Sequence, residues 1–271
     1  MTTPAESSQL QAPRKGFLSI LYNTGWLTIA RVSGDIAGIV LFISISRNLG
    51  LSAIGTYSYA FALSQIAAAA VGLGMDEFGL REYSRLTGDA RRAMFRRIMG
   101  LQINLLVLVG VVLAIYLSLT GASLEQVIVV FVVAVHVLTF QFALMYFIPS
   151  FAAHSMFVPA LAEFVCRVGA ICIGILIVTI FSGSLGAGMA PLAVGTTLLL
   201  LIALISARYY NGEIRPALDW KSMRAVAMDV WPFAVSTIIY SFFNRIAVVL
   251  LTSIRGAAET GIYATALKVY E

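Results

Sequence analysis

Charge is what this sequence has least of: Asp, Glu, Lys and Arg make up 11% of its 271 residues, against about 25% in a soluble domain. Cysteine is nearly missing as well. The only two, Cys166 and Cys172, fall six apart inside one apolar run. That spacing suggests neither a disulfide frame nor a metal site, so both read as packing residues. Histidine is confined to His136 and His154. The chain carries no glycine-rich phosphate loop, no HExxH, no CxxC and no repeated carboxylates on one loop. No enzyme constellation and no cofactor is therefore implied.

What fills the chain instead is apolar. Hydrophobic residues make up 60% of it, in long charge-free runs that recur from end to end. A single globular core cannot absorb so much apolar sequence, and the runs do not alternate as membrane-barrel strands do. The expected fold is an all-α membrane protein, a polytopic helical bundle in a lipid bilayer. The net charge of +5 then concerns orientation in the membrane and not nucleic acid.

The run Gly16 to Ser46 organises the rest. It is 31 residues long, bounded by Lys15 and Arg47, and holds only two charges, Arg31 and Asp35. At ~1.5 Å per residue it crosses a ~30 Å hydrocarbon core with margin, and it is too long for a signal-peptide h-region. Further spans are expected at about 98–120, 126–148, 159–181, up to Ala207 and 231–254, with another apolar run between the corner at 47–55 and Asp76. That makes seven spans plus a partial eighth. The corresponding division is a cytoplasmic tail at 1–16, a first six-span lobe at 17–210, a cytoplasmic connection at 211–230 and the start of a truncated second lobe at 231–271. Ser182 to Pro191, with three glycines, reads as a tight turn.

Basic residues set the orientation. The tail and the even-numbered connections hold twelve Lys/Arg, six of them between Asp76 and Arg97, whereas the odd-numbered connections hold only Arg47 and Arg255. Positive residues stay inside, so the N-terminus is expected in the cytoplasm.

An internal repeat is also visible. Gly55-Thr-Tyr-Ser-Tyr-Ala60 returns as Gly261-Ile-Tyr-Ala-Thr-Ala266, a shift of 206 residues. Six spans separate the copies, which predicts parallel six-span repeats and makes this chain the N-lobe of a two-lobe transporter. Arg31 and Asp35 map onto Thr237 and Ser241, so the two halves should contribute unequally to any site.

Three segments carry a family resemblance: Arg47-Asn-Leu-Gly50 with Gly55-Thr-Tyr57, Gly72-Leu-Gly-Met-Asp-Glu-Phe-Gly-Leu-Arg-Glu-Tyr-Ser84, and Asn244-Arg-Ile-Ala247 with Gly261-Ile-Tyr263. With the repeat, they make the chain resemble a polysaccharide or lipid-linked oligosaccharide flippase of the multidrug/oligosaccharidyl-lipid/polysaccharide exporter superfamily. The resemblance implies two lobes around a cavity and movement of undecaprenyl-pyrophosphate-linked sugars across the bacterial inner membrane by alternating access. It further implies glycan-assembly membrane proteins as partners. Where the family usually has an acid near position 244, this chain has an amide, Asn244.

Embedded ionisable residues are the candidate site. Arg31 and Asp35 are four apart and are expected to pair on one face. Arg245 lacks an acid at i±3 or i±4. Arg31, Asp35 and Arg245 are therefore the expected substrate-binding residues, the arginine forks suiting phosphate oxygens. Glu163 and Arg167, again four apart, form a secondary candidate and are expected as an interfacial pair near the cytoplasmic edge. His136 is expected as a hydrogen-bonded packing residue. Pairing with Arg31 argues against Asp35 as the site of a coupling ion, whether H+ or Na+. A multidrug antiporter of organic cations is the alternative, but it would want an acidic interior, and here three embedded arginines face two acids.

The orientation is testable by thiol labelling. Single cysteines at Ser84 and Ser222, in a background without Cys166 and Cys172, should resist an impermeant reagent in intact cells. Labelling without permeabilisation would reverse the topology.

Overall fold

The computed structural model describes residues 12–180, 184–212 and 214–270, with side chains from Thr24 to Lys268 within those ranges. Ten α-helices and one π turn account for the ordered elements, and no strand occurs among the described residues. In chain order they are α1 (Ala12–Gly72), α2 (Met75–Arg85), α3 (Gly88–Leu119), α4 (Leu124–Tyr146), α5 (Ile148–Ala152), α6 (Phe157–Glu163), a π turn at Phe164–Val168, α7 (Gly169–Ile180), α8 (Leu185–Asn211), α9 (Trp220–Arg255) and α10 (Ala257–Tyr270). Among the described residues, six helical stretches are long and apolar enough to cross a membrane, the first running from Thr24 to Arg85. The chain is a multi-pass membrane protein. The α3 face formed by Val107, Leu108, Val111, Val112 and Ile115 is exposed, as a lipid-facing surface requires.

The expected corner at 47–55 is in fact a kink at one residue. Gly50 has φ 82° and ψ −179°, a conformation open to glycine and strained for any side chain, and helix resumes at once on either side. The expected tail at 1–16 lies mostly outside the described residues, and its last residues already belong to α1. The arginine-rich stretch after Asp76 is also helical where a connection was expected. In α2, Met75, Phe78, Gly79 and Tyr83 are buried, and Arg81 and Arg85 reach Glu82 on the outer side.

Of the turn expected at Ser182–Pro191, the part from Leu185 on is helix. Residues 181–183 lie outside the described residues, and Ser184 caps α8 by accepting a hydrogen bond from the Ala187 backbone N–H. Gly186 and Gly188 are already inside that helix. A Cβ on Gly188 would press 2.5 Å from Val178, and one on Gly174 would lie 2.7 Å from the Gly188 carbonyl oxygen. Small residues let α7 and α8 approach closely, which is how helices associate where no hydrophobic driving force separates them from lipid. Hydroxyl pairs tie α8 to its other neighbours: Thr139 to Thr196 at 2.8 Å and Ser150 to Ser206 at 2.7 Å.

Both basic connections sit at one end of the bundle. The Ala217 N–H donates to the Arg96 carbonyl at 2.9 Å, Arg96 Nε donates to the Arg215 carbonyl at 3.0 Å, and the Tyr83 hydroxyl donates to Asn211 Oδ1 at 2.9 Å. A buried cluster that includes Phe78, Phe95, Phe142 and Phe147 packs beneath them. A second cluster, with Leu41, Ile45, Val133, Met189 and Val248, fills the other half.

The 206-residue shift has a structural counterpart around the kink. Gly50 maps onto Gly256, which joins α9 to α10 with φ 86° and ψ 177°, nearly the same backbone. Past the kinks, α1 and α10 pack directly on each other. A Cβ on Gly55 would run into the Ala257 carbonyl, and one on Gly261 would run into the Leu51 carbonyl. Leu51 and Ala257 are themselves related by the shift, as are Gly55 and Gly261. The crossing is therefore locally two-fold: each glycine accepts the partner repeat's backbone.

Adding bulk at either glycine must separate these backbones. Gly55→Val and Gly261→Val should each destabilise the protein by about 1–3 kcal/mol or more, read as a lower unfolding temperature in detergent. Gly110→Val is the control, since nothing lies within 4 Å of a Cβ there. An equal loss at all three positions would contradict the close crossing.

Candidate functional site

Arg167 is carried on the π turn, a wide turn that tends to occur at functional positions. Its guanidinium crosses to α1 and donates from Nη2 to Asp35 Oδ1 at 2.7 Å. Glu163, one turn earlier, lies 3.7 Å from Nη1. Phe140 of α4 packs under the guanidinium at 5.7 Å. The crossing is possible because residue 34 is glycine: a Cβ there would lie 2.8–2.9 Å from Arg167 Nη1, Cδ and Cζ. One arginine thus serves two acids on different helices.

The expected Arg31–Asp35 pair is not formed. Arg31 is exposed, and among the described residues it makes no ion pair or hydrogen bond. Its charge does act on Glu163, along with those of Arg167 and Asp35. The order of charges explains the outcome. A cation four residues before an acid is the less favourable helix arrangement, whereas Glu163 before Arg167 is the favourable one. Arg167 also reaches Asp35 with a short charge-assisted bond. The Glu163–Arg167 pair, expected at the cytoplasmic edge, lies well inside its apolar stretch: Arg167 is ~15 Å along the helix from Phe157 and ~20 Å from Ile180, and it faces Asp35. It is turned inward.

The two acids differ sharply in environment. The Asp35 side chain is 68% exposed and that of Glu163 only 3%. Glu163 Oε1 has no hydrogen-bond partner among the described residues; Arg167 is its contact at 3.7 Å, and the charge of Arg31 acts on it as well.

Asp35 and Arg167 open onto a cavity of about 450 Å³ between α1, α4, α7, α9 and α10. Arg245 of α9 lines it from the other side, its guanidinium 5.6 Å from the ring centre of Phe61. The charges of Arg167 and Arg245 both reach Tyr57, which sits between them on the second arm of α1. Lys268 of α10 adds a third cation to the lining. Of the expected substrate-binding residues the cavity gathers Asp35 and Arg245; Arg31 stays off its wall, and Arg167 stands in its place. The sequence reading missed Lys268, although it is the only basic residue after Arg255. His136 also lines the cavity, with Nδ1 3.2 Å from the Leu192 carbonyl oxygen. A second cavity of about 400 Å³ lies toward α2 and shares Gln65 and Arg245 with the first.

Cys172 is exposed where a packing residue was expected, while Cys166 is half-buried with its carbonyl against Gly195. Among the described residues no three His, Cys, Asp or Glu side chains gather to hold a metal ion. Outside the apolar segments, Asp219 caps α9 by accepting from the Ser222 N–H at 2.9 Å. Hydrogen bonds from Ser222 hold its carboxyl below the usual carboxylate range.

Compared with known proteins, residues 20–270 match a protein family described as polysaccharide biosynthesis protein. No curated protein and no solved structure matches the chain.

Removing Arg167 would strand Glu163 as an unpaired buried carboxylate. Arg167→Ala should cost about 3–5 kcal/mol, and Glu163→Gln in the same chain should recover much of it. Arg31→Ala should cost far less. Unfolding in detergent by thermal shift gives the order, and equal losses for Arg31→Ala and Arg167→Ala would restore the local pair.

Proposed function

Because the chain belongs to the polysaccharide biosynthesis protein family, we propose that it flips undecaprenyl-pyrophosphate-linked oligosaccharide or polysaccharide repeat units across the bacterial inner membrane. The observation that carries this reading is the charge of the mid-depth cavity. Arg167, Arg245 and Lys268 line it with Asp35, and Glu163 stands behind Arg167, three cations to two acids. A lining with that excess of cations attracts an anion and disfavours an organic cation.

The pyrophosphate is held between Arg167 and Arg245. Each guanidinium offers a planar fork of donors that matches phosphate oxygens, whereas a lysine ammonium is a point charge. Phe140 and Phe61 back the two forks and limit how far they swing. On arrival of the ligand, Arg167 exchanges part of its contact with the exposed Asp35 for phosphate, while Glu163 behind it keeps the guanidinium in place. The polyprenyl tail stays in lipid.

The kink glycines and the 206-residue correspondence support a two-lobe transporter in which repeats rock against each other about the α1–α10 crossing. The N-terminus is cytoplasmic in this reading, since the basic end of the bundle holds both arginine-rich connections. Transport, with no covalent change to the sugar, is the activity proposed.

Binding in lipid nanodiscs separates this reading from cation export. Undecaprenyl pyrophosphate should bind the full chain, and tetraphenylphosphonium should not displace it. Arg167→Lys and Arg245→Lys should each weaken binding by roughly tenfold or more, the loss of one charged hydrogen bond. Tight tetraphenylphosphonium binding, or undiminished pyrophosphate binding in both variants, would refute the assignment.

A further inference from the structure

The second cavity differs from the first in chemistry. Its walls are mostly neutral hydrogen-bonding groups: Gln65 on α1, Gln141 on α4, and Thr237, Ser241 and Asn244 on α9. Among the described residues, the side-chain amides of Gln65 and Gln141 and the hydroxyl of Thr237 make no hydrogen bond. Each amide offers donors and an acceptor together, and at this depth lipid satisfies neither. Such groups are stable only against water or a ligand rich in hydroxyls. Asp76 and Glu77 close the end of the cavity at the start of α2. Among the described residues neither forms an ion pair or hydrogen bond. Gln65 and Arg245 belong to both cavities, so the two form one continuous site with a cationic part and a neutral polar part.

We propose that the second cavity is the glycan subsite, that it holds the sugar attached directly to the pyrophosphate, and that it selects a neutral sugar over an acidic one. This rests on the first cavity binding the pyrophosphate. A ligand with an anionic group beside a polyhydroxyl ring matches the two halves in order. The amides of Gln65 and Gln141 and the Thr237 hydroxyl displace their water for sugar hydroxyls, which also donate and accept at once. A uronic acid would carry its carboxylate toward Asp76 and Glu77, where like charges repel, and specificity of this kind comes from the repulsive element. The cavity volume of about 400 Å³ falls within the ~300–1,000 Å³ usual for small-ligand sites.

The test compares three probes on the full chain in nanodiscs: undecaprenyl pyrophosphate bare, with one glucose, and with one glucuronic acid. The glucosyl form should bind about tenfold tighter than the bare carrier, a net gain of one or two hydrogen bonds. In Gln141→Leu/Thr237→Val that ratio should fall to about one. Because the reading is a ratio of two affinities on one protein sample, partial misfolding does not mimic the result. The glucuronosyl form should bind more weakly than the glucosyl form, and Asp76→Asn/Glu77→Gln should close the gap. A ratio of one in the unaltered chain, a ratio that survives the double substitution, or equal affinity for the two sugars would overturn the subsite. Failure of the bare carrier to bind while the glucosyl form binds would remove the pyrophosphate assignment and keep the subsite. Failure of both to bind would remove both.

Discussion

An inward-turned guanidinium midway along an apolar helical stretch needs counter-charge, and Arg167 receives it from two sides. Asp35 meets it at 2.7 Å and Glu163 stands behind it at 3.7 Å. Several unrelated-looking features follow from this one requirement. Residue 34 is glycine because any side chain would occupy the path of the arginine. The chain widens into a π turn where Arg167 leaves α6 and α7. Phe140 backs the guanidinium, 5.7 Å from it to the ring centre. The acid at 2.7 Å is exposed and the acid at 3.7 Å is buried, and the proposed function uses the first as the exchangeable partner and the second as the anchor.

The second organising feature is backbone symmetry. Gly50 and Gly256 adopt nearly the same positive-φ geometry 206 residues apart, and the helices that follow them interlock through Gly55 and Gly261. The shared backbone does not extend to the charges. Arg31 and Asp35 correspond to Thr237 and Ser241, and Ser241 donates to the Gln65 carbonyl at 3.2 Å where Asp35 accepts from Arg167. At these two positions the first repeat is charged and the second is neutral, while the second repeat brings its own cations, Arg245 and Lys268, to the same cavity.

Much of the fold was legible in the sequence because composition and run length report burial in lipid directly. The all-helical class, the corner near Gly50 and the six-residue repeat were all readable. Helix α2 was hidden by its own arginines: charge density suggested a connection, but the apolar residues Phe78 and Tyr83 sit a turn and a half apart and anchor it. Gly186 and Gly188 were misread because glycine signals both a turn and a close helix crossing, and only the neighbouring helix decides between them. The site was half legible. Residue type and depth pointed to Asp35 and Arg245, but the Asp35–Arg167 bond joins residues 132 apart, and local spacing favoured Arg31 instead. Long-range pairing of that kind is decided by which helix a wide turn faces, and helical periodicity does not record it.

The central claim is that Arg167 is the phosphate-binding residue at mid-depth. It is tested most directly by solid-state NMR of the chain in lipid with undecaprenyl pyrophosphate, using arginine labelled at Cζ with 13C and assigning the residue through Arg167→Lys. Strong dephasing of the Arg167 signal by 31P, with Asp35 losing its contact as the ligand binds, is the result expected. An Arg167 signal untouched by 31P while Arg31 is dephased would contradict it.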